Sequence, residues 1–277
     1  MNKRLLCIIS IVMTLGVNSM AVDFMGPPTA GLKEGQWKMG YTFHYSENDL
    51  LADFSSFSIN GVEYKIDSGD VKIDAVKVAR NYFTLNYGLV DDRMEIYGFI
   101  GCADTKADTG IDIFSENLTF NGNNDYAFGI GTKVTTNKYD NADWGVLIQA
   151  SWLKSADTLG SWAGVYEGHT YSAKYDVEFR AYELQIAVGP TIKVMEGWKV
   201  YGGPFVYVLH GDLKEKLSGT VDGEPGYLES SGHLKQDNGI GGYIGTQIEL
   251  FKNAAIGAEY ASTGTSTGFG VNISWTF

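Results

Sequence analysis

The sequence predicts an all-β chain: a ten-stranded antiparallel transmembrane β-barrel, an up-and-down meander. Three observations lead there. Most of the chain alternates apolar residues with polar or small ones, the period of a strand whose two faces meet different surroundings. The connections between the alternating stretches run long, short, long, short. Tryptophans fall near the ends of those stretches, where the aromatic girdles of a membrane barrel lie.

The first residues predict export. Lys3 and Arg4 precede an apolar run from Leu5 to Val17, and Ser19-Met20-Ala21 is a small-x-small cleavage site. We read 1–21 as a secretory signal peptide, 22–34 as a periplasmic lead segment broken by Pro27-Pro28, and 35–277 as the barrel. Removing the leader takes two basic residues from a chain of net charge −12, and an acidic balance argues against nucleic acid as a partner. Cys102 is then the sole cysteine and has no internal disulfide partner. No later apolar run reaches the ~18 residues of a membrane-spanning helix.

The first strand, 35–46, sets Trp37, Met39, Tyr41, Phe43 and Tyr45 against Lys38, Gly40, Thr42 and His44. A long acidic loop, 47–75, follows, with an Asn60-Gly61 hairpin standing above the membrane. The second strand is 76–89, with Phe83, Leu85 and Tyr87 outward, and the third is 94–103, with Met94, Ile96 and Ile100 outward and Tyr97 and Phe99 inward. A second long loop spans 104–122. The fourth and fifth strands are 123–135 and 143–154, and a third long loop is 155–173. The sixth strand lies within 174–192. Its parity changes between Ala181 and Tyr182, which predicts a bulge or an exit from the membrane. The seventh is 199–211, the fourth long loop 212–236, the eighth strand 237–249, the ninth 254–262 and the tenth 268–277. Only the loop after the ninth, 263–267, breaks the order by being brief.

Trp37, Trp144 and Trp275 fall near the periplasmic ends of strands one, five and ten, and Trp198 at the turn before strand seven. Trp152 falls at the outer end of strand five. It lies eight residues from Trp144 on one face, roughly 20 Å at ~3.3 Å rise and ~40° tilt. These five form the expected girdles, with Trp275 across the closing seam from Trp37.

The last strand carries the clearest pattern: Phe269, Val271, Ile273, Trp275 and Phe277 alternate with Gly270, Asn272, Ser274 and Thr276. Here the chain resembles the bacterial outer-membrane β-barrel proteins, whose last strand ends in an aromatic residue after alternating apolar positions. The resemblance covers nearly the whole mature chain as a pattern and reaches no subfamily. It implies residence in the outer membrane of a Gram-negative-type bacterium. It also implies that those five residues are an assembly signal read by the barrel-assembly machinery.

Parity turns Lys38, His44, Arg80, Glu95, Lys133, Gln149, Glu183, Gln185, Glu249 and Glu259 into the lumen. Glu95 and Lys133 could pair there. Large side chains of both signs fit a lumen crossed and plugged by salt bridges. Alternating glycines, Gly129 with Gly131 and Gly241 with Gly245, leave room for a narrow passive pore. The function expected is therefore non-enzymatic: a structural or surface-binding barrel, or a pore.

The alternative is an outer-membrane hydrolase with a site at the outer rim. Its candidates are His44, the His210-Gly211-Asp212 run, Asp104 and Asp108, and the serines Ser46 and Ser151. The order and setting of these residues do not match the omptin proteases, which are also ten-stranded outer-membrane barrels. No compact ligand motif appears, so no metal or cofactor is expected. The four long loops hold 18 acidic and 6 basic residues, which fits divalent cations bridging to lipopolysaccharide. Outer-membrane lipid and lipopolysaccharide are the expected surroundings.

Overall fold

The computed structural model describes residues 23–113, 116–166, 169–236 and 239–277. The leader at 1–21 lies outside them. Eleven strands make one antiparallel sheet: β1 (Trp37–Ile59), β2 (Val62–Val90), β3 (Met94–Ile113), β4 (Glu116–Lys138), β5 (Ala142–Tyr166), β6 (His169–Met195), β7 (Trp198–Val221), β8 (Glu224–Gln236), β9 (Ile240–Phe251), β10 (Ala254–Thr263) and β11 (Ser266–Thr276).

The sheet closes twice, at two heights. In the lower part β7 pairs with β9 from Trp198 to Val206, β9 with β10, and β10 with β11. There β11 pairs with β1 from Lys38↔Thr276 to Asn48↔Ser266. With β2 to β6 this ring has ten strands. In the upper part β7 pairs with β8 from His210 to Val221, and β8 pairs directly with β1 from Leu50 to Ile59. That ring has eight strands. The brief connection after β10 explains the change. The β10–β11 hairpin stops early, and above it β1 exchanges β11 for β8.

The segments expected as long loops at 47–75, 104–122, 155–173 and 212–236 are corrected: they are strand in their described parts. The apolar-out pattern stops at each, but the strands continue. The tight turns at their tips are where the chemistry puts them. Asn60 and Gly61 both take positive φ (48° and 82°), as do Asp222 and Gly223 (52° and 86°), the type I′ geometry of two-residue hairpins. At ~3.3 Å rise and ~40° tilt, the 27 residues of β6 rise roughly 70 Å. An apolar band of ~25 Å leaves roughly 40 Å standing clear as a turret.

Of the two readings of the parity change between Ala181 and Tyr182, a bulge is absent and an exit from the apolar belt fits: the register of β6 runs unbroken there against both β5 and β7. What changes is the solvent. Below this point the outward residues of β6 are Tyr182, Leu184, Ile186 and Val188, and the inward ones include Glu183 and Gln185. Above it the outward residues are Lys174, Asp176, Glu178 and Arg180, and the buried inward ones Tyr175, Val177, Phe179 and Ala181. The apolar face moves from outside to inside with no slip of the backbone. Outward positions reverse likewise between Trp152 and Lys154 on β5, and between Val208 and His210 on β7. The upper ring is filled by Leu50, Val76, Val78, Phe120, Leu153, Val177, Phe179, Leu213 and Leu234, with Trp162 half-buried against them.

The exterior of the lower ring is an apolar belt of exposed Phe83, Ile100, Ile130, Ile148, Ile244 and Ile273. Side chains of this kind left facing out on every strand need lipid around them. Trp37, Trp144 and Trp275 are exposed on that exterior. Trp152 stacks on Phe128 with centroids 5.3 Å apart, and the Trp198 indole donates to the Thr246 hydroxyl at 2.8 Å. The seam is offset from expectation: Trp275 faces Met39, while Trp37 and Phe277 exchange both backbone hydrogen bonds, at 3.1 and 2.9 Å. Phe269, Ile273, Trp275 and Phe277 point outward, with Val271 half-buried among them.

Candidate functional site

The lower ring encloses the one densely polar region of the described interior, and the amino-terminal segment lies in it. Residues 23–34 do not stay below the barrel as a periplasmic lead. They enter the ring from the end where β1 begins and fill it. Pro27-Pro28 keeps the segment out of regular structure, and wall side chains take over the hydrogen bonds of its backbone.

Glu259 on β10 accepts the amides of Met25 (2.9 Å) and Gly26 (2.8 Å), one on each carboxylate oxygen. The Ala30 amide donates to Thr135 at 3.0 Å and the Gly31 amide to Glu95 at 3.1 Å. The hydroxyls of Thr29 and Thr191 meet at 2.8 Å. Glycine at 145 lets the Pro28 carbonyl approach: a Cβ there would stand 2.5 Å from its oxygen.

At the deep end Asp23 meets Arg80. One guanidinium nitrogen lies 2.5 Å from an Asp23 oxygen and 2.7 Å from a Glu183 oxygen, and the second nitrogen also pairs with Glu183. Tyr82 donates to Asp23 at 3.3 Å and Ser151 to Glu183 at 3.0 Å. The His44 ring stands 3.9 Å from Asp23. Asp23, His44, Arg80 and Glu183 are all buried. One guanidinium shared by two carboxylates gives each a charge-assisted partner away from lipid and bulk water. Below it Tyr97 donates to Gln149 (2.7 Å) and Gln149 to Gln185 (2.8 Å), a relay that crosses three strands.

The remaining lumen residues sort by height. Glu95 is buried and takes Asn86 at 3.1 Å and Lys38 at 3.6 Å. Lys133 stands opposite Glu95 in the ladder, but its ammonium turns to the Tyr97 ring, 5.4 Å from the centroid. The glycines expected to leave room are filled. A Cβ at Gly129 would stand 2.2 Å from Phe99, one at Gly131 2.3 Å from Tyr97, and one at Gly245 2.3 Å from Tyr201. Glu249 does not close the lumen. It is about half exposed at the periplasmic mouth, where it pairs with Lys199 at 3.6 Å. Lys138 with Asp92 (3.1 Å) and Lys193 with Asp143 (3.3 Å) line the same vestibule. Beside Phe24 and Met25 the lower lumen retains a cavity of about 70 Å³, room for a few waters and no more.

Sequence parity placed the wall residues and missed their main partner. Asp23 carries no signal of its own, standing two positions after the expected cleavage site. Parity put Tyr82 on the inner face. The buried Tyr201 and Tyr207 were missed, because the inward face of β7 (Tyr201, Phe205, Tyr207, Leu209) carries no polar lumen residue to mark it, and the buried Tyr243 of β9 was missed with them.

The outer-rim candidates do not converge. His210 is exposed on the exterior of β7. Asp212 and His233 are cross-strand neighbours 3.1 Å apart on the outer surface, with His233 more than four-fifths exposed. His44 lies deep in the lower lumen beside the plug. Ser151 serves Glu183, and the Ser46 hydroxyl donates to the Val78 carbonyl at 3.1 Å. Asp104 is half-buried on β3; the side chain of Asp108 lies outside the described residues. Among the described residues no three His, Cys, Asp or Glu side chains gather as metal ligands.

No family model matches the chain, and no curated protein matches it in sequence. Among solved structures it is similar to the outer membrane protease OmpT of Escherichia coli, at 11% identity and a TM-score of 0.38 over 92% of this chain and 99% of that one. It is also similar to the translocator domain of the autotransporter NalP from Neisseria meningitidis, at 12% and 0.40 over 99% and 94%. A third is the outer membrane protein OprG from Pseudomonas aeruginosa, at 11% and 0.32 over 89% and 98%. At these values the likenesses carry no argument about activity, and the barrel rests on the chain's own hydrogen-bonded rings.

Proposed function

We propose that this protein is a closed, non-enzymatic outer-membrane β-barrel that raises a rigid turret above the surface, a structural or surface-binding protein and not a pore. The observation that carries the reading is the double closure of the interior. The lower ring is occupied by residues 23–34 and the Asp23–Arg80–Glu183 cluster, and the upper ring by an apolar core. The hydrolase alternative loses support from the outward placement of His210 and His233.

The export signal, insertion by the barrel-assembly machinery through Phe269 to Phe277, and an outer-membrane setting belong to this reading. Lipopolysaccharide is its partner at the turret base. Lys154 and Arg180 stand on the exterior of β5 and β6, each one outward position above the last apolar residue of its strand, Trp152 and Tyr182, where lipid phosphates would meet the barrel. Glu178 is shared by Lys154 and Arg180, which leaves one positive charge in excess at this spot for a phosphate; bridging divalent cations belong to the acidic remainder of the rim.

The test is conductance. Purified protein whose gel mobility shifts on boiling, the mark of an intact barrel, is reconstituted in planar bilayers. We expect no discrete current steps. Regular steps from protein of intact mobility would overturn closure and restore the narrow pore.

A further inference from the structure

The lower ring treats residues 23–31 as a receptor treats a ligand. The segment forms no ladder with the wall, and the ten-stranded ring is hydrogen-bonded shut from Trp37 onward without it. What holds it is a set of distinct subsites. Arg80 and Tyr82 take a carboxylate, that of Asp23. Glycine at 270 on β11 leaves a slot for the Phe24 ring: a Cβ there would come within 2.6 Å of it. The two oxygens of Glu259 clamp two successive amides, and Thr135 and Glu95 clamp two more. Gly26 takes φ +69°, the left-handed turn that presents its amide to Glu259 beside that of Met25. Together the contacts read a short segment that turns at its end: an acid, an aromatic residue, then a residue followed by glycine.

We propose that the lower lumen is a peptide-recognition site for an acidic–aromatic–x–Gly segment, filled in this protein by its own residues 23–26, and that the occupant is exchangeable from the periplasmic side. The subsites converge on one short turning segment, the receptor ring is complete without it, and among the described residues the way out that avoids the apolar upper core is the mouth beside β1's first residues. The ligand therefore leaves by the route it entered, through the vestibule lined by Lys138, Lys193 and Lys199.

The experiment uses two forms of the protein. In the first, residues 23–34 are deleted behind the leader, and barrel integrity is checked by gel mobility. A synthetic peptide of residues 23–34, labelled at its carboxyl end, is titrated and read by fluorescence anisotropy. We expect saturable one-to-one binding. The Asp23→Ala and Phe24→Ala peptides should each bind at least tenfold more weakly, and a scrambled peptide not at all. Equal binding of the scrambled peptide, or no binding to an intact barrel, overturns the proposal. If the deleted chain does not fold, the full chain carrying a protease site at 33–36 is used. After cutting, labelled peptide should displace the bound segment, and a cut segment that resists displacement until the barrel unfolds overturns the proposal. Conductance of the plug-less barrel separates this from the closure reading. Current steps there would show that the upper core does not seal, and would leave peptide recognition standing.

Discussion

Strand β6 serves two solvents. From Tyr182 downward it turns Leu184, Ile186 and Val188 out and Glu183 and Gln185 in. From Ala181 upward it turns Arg180, Glu178 and Asp176 out and Phe179, Val177 and Tyr175 in. One strand in one register is thus inside-out in its lower half and conventional in its upper half. Hydrophobic parity reports what surrounds a strand, lipid or water, and a reversal of parity need not mean a slipped backbone. The two halves are also held differently. The lower interior depends on a few charge-assisted contacts, and the upper on apolar burial.

The largest test of that contrast is Arg80→Ala. It leaves the Asp23 and Glu183 carboxylates buried without their cation, a loss of about 3–5 kcal/mol. We expect the temperature at which the folded band disappears on gels to fall sharply. The combination Asp23→Asn, Arg80→Met and Glu183→Gln should recover much of it. An unchanged Arg80→Ala barrel would mean the lower interior is hydrated and the cluster is not structural.

Leu213→Ala probes the other half. Truncating this buried side chain costs about 2–5 kcal/mol, but in the upper ring. Limited proteolysis should open the turret hairpins while the lower barrel keeps its mobility shift. Simultaneous loss of both would show that the rings unfold as one unit.

Third is a matched pair on the exterior of β6. Val188→Arg faces lipid and should cost about 2–4 kcal/mol if it lies near the midplane, read in urea titrations of the barrel in bilayers. Asp176→Arg faces water and should cost about 1 kcal/mol, losing Lys174 at 2.7 Å and the Thr158 hydroxyl at 2.6 Å and setting a cation opposite Lys216. Equal costs at the two positions would break the division between lipid and water.

The smallest effect is expected at Glu215, in the turret and well clear of the belt. Burial raises its pKa, only partly offset by a hydrogen bond from Tyr175. A carboxyl with a raised folded pKa is deprotonated first in the unfolded chain. Turret stability therefore falls as pH climbs from the ordinary carboxylate range through the folded pKa, and the penalty is complete above it. Glu215→Gln should flatten that slope and stabilise the turret slightly at neutral pH. A steeper slope in the variant would contradict the assignment.

Much of this was legible in the chain. Alternation at Trp37 to Tyr45 and at Phe269 to Phe277 placed the first and last membrane strands and their outward faces. Asn60-Gly61 fixed a hairpin, because only certain residues take positive φ twice in succession. The turret was hidden by its own correctness. A strand in water puts charges outside, so β1 beyond Tyr45 and β7 beyond Val208 looked like loop when judged by a lipid-facing pattern. The candidate site was half visible, since parity named Arg80, Glu95, Glu183 and Glu259 as wall but could not say what they held.

By itself, then, the sequence determined the local geometry: strand period, turn positions, and which residues share a face. Those follow from steric and solvation preferences that act within a few residues. Only the tertiary structure decided the rest: that β1 leaves β11 for β8, that ten strands become eight, and that Asp23 reaches Arg80 across the lumen. Those contacts join residues far apart in the chain, and their energy exists only once a closed ring brings them together and excludes both water and lipid from the space between.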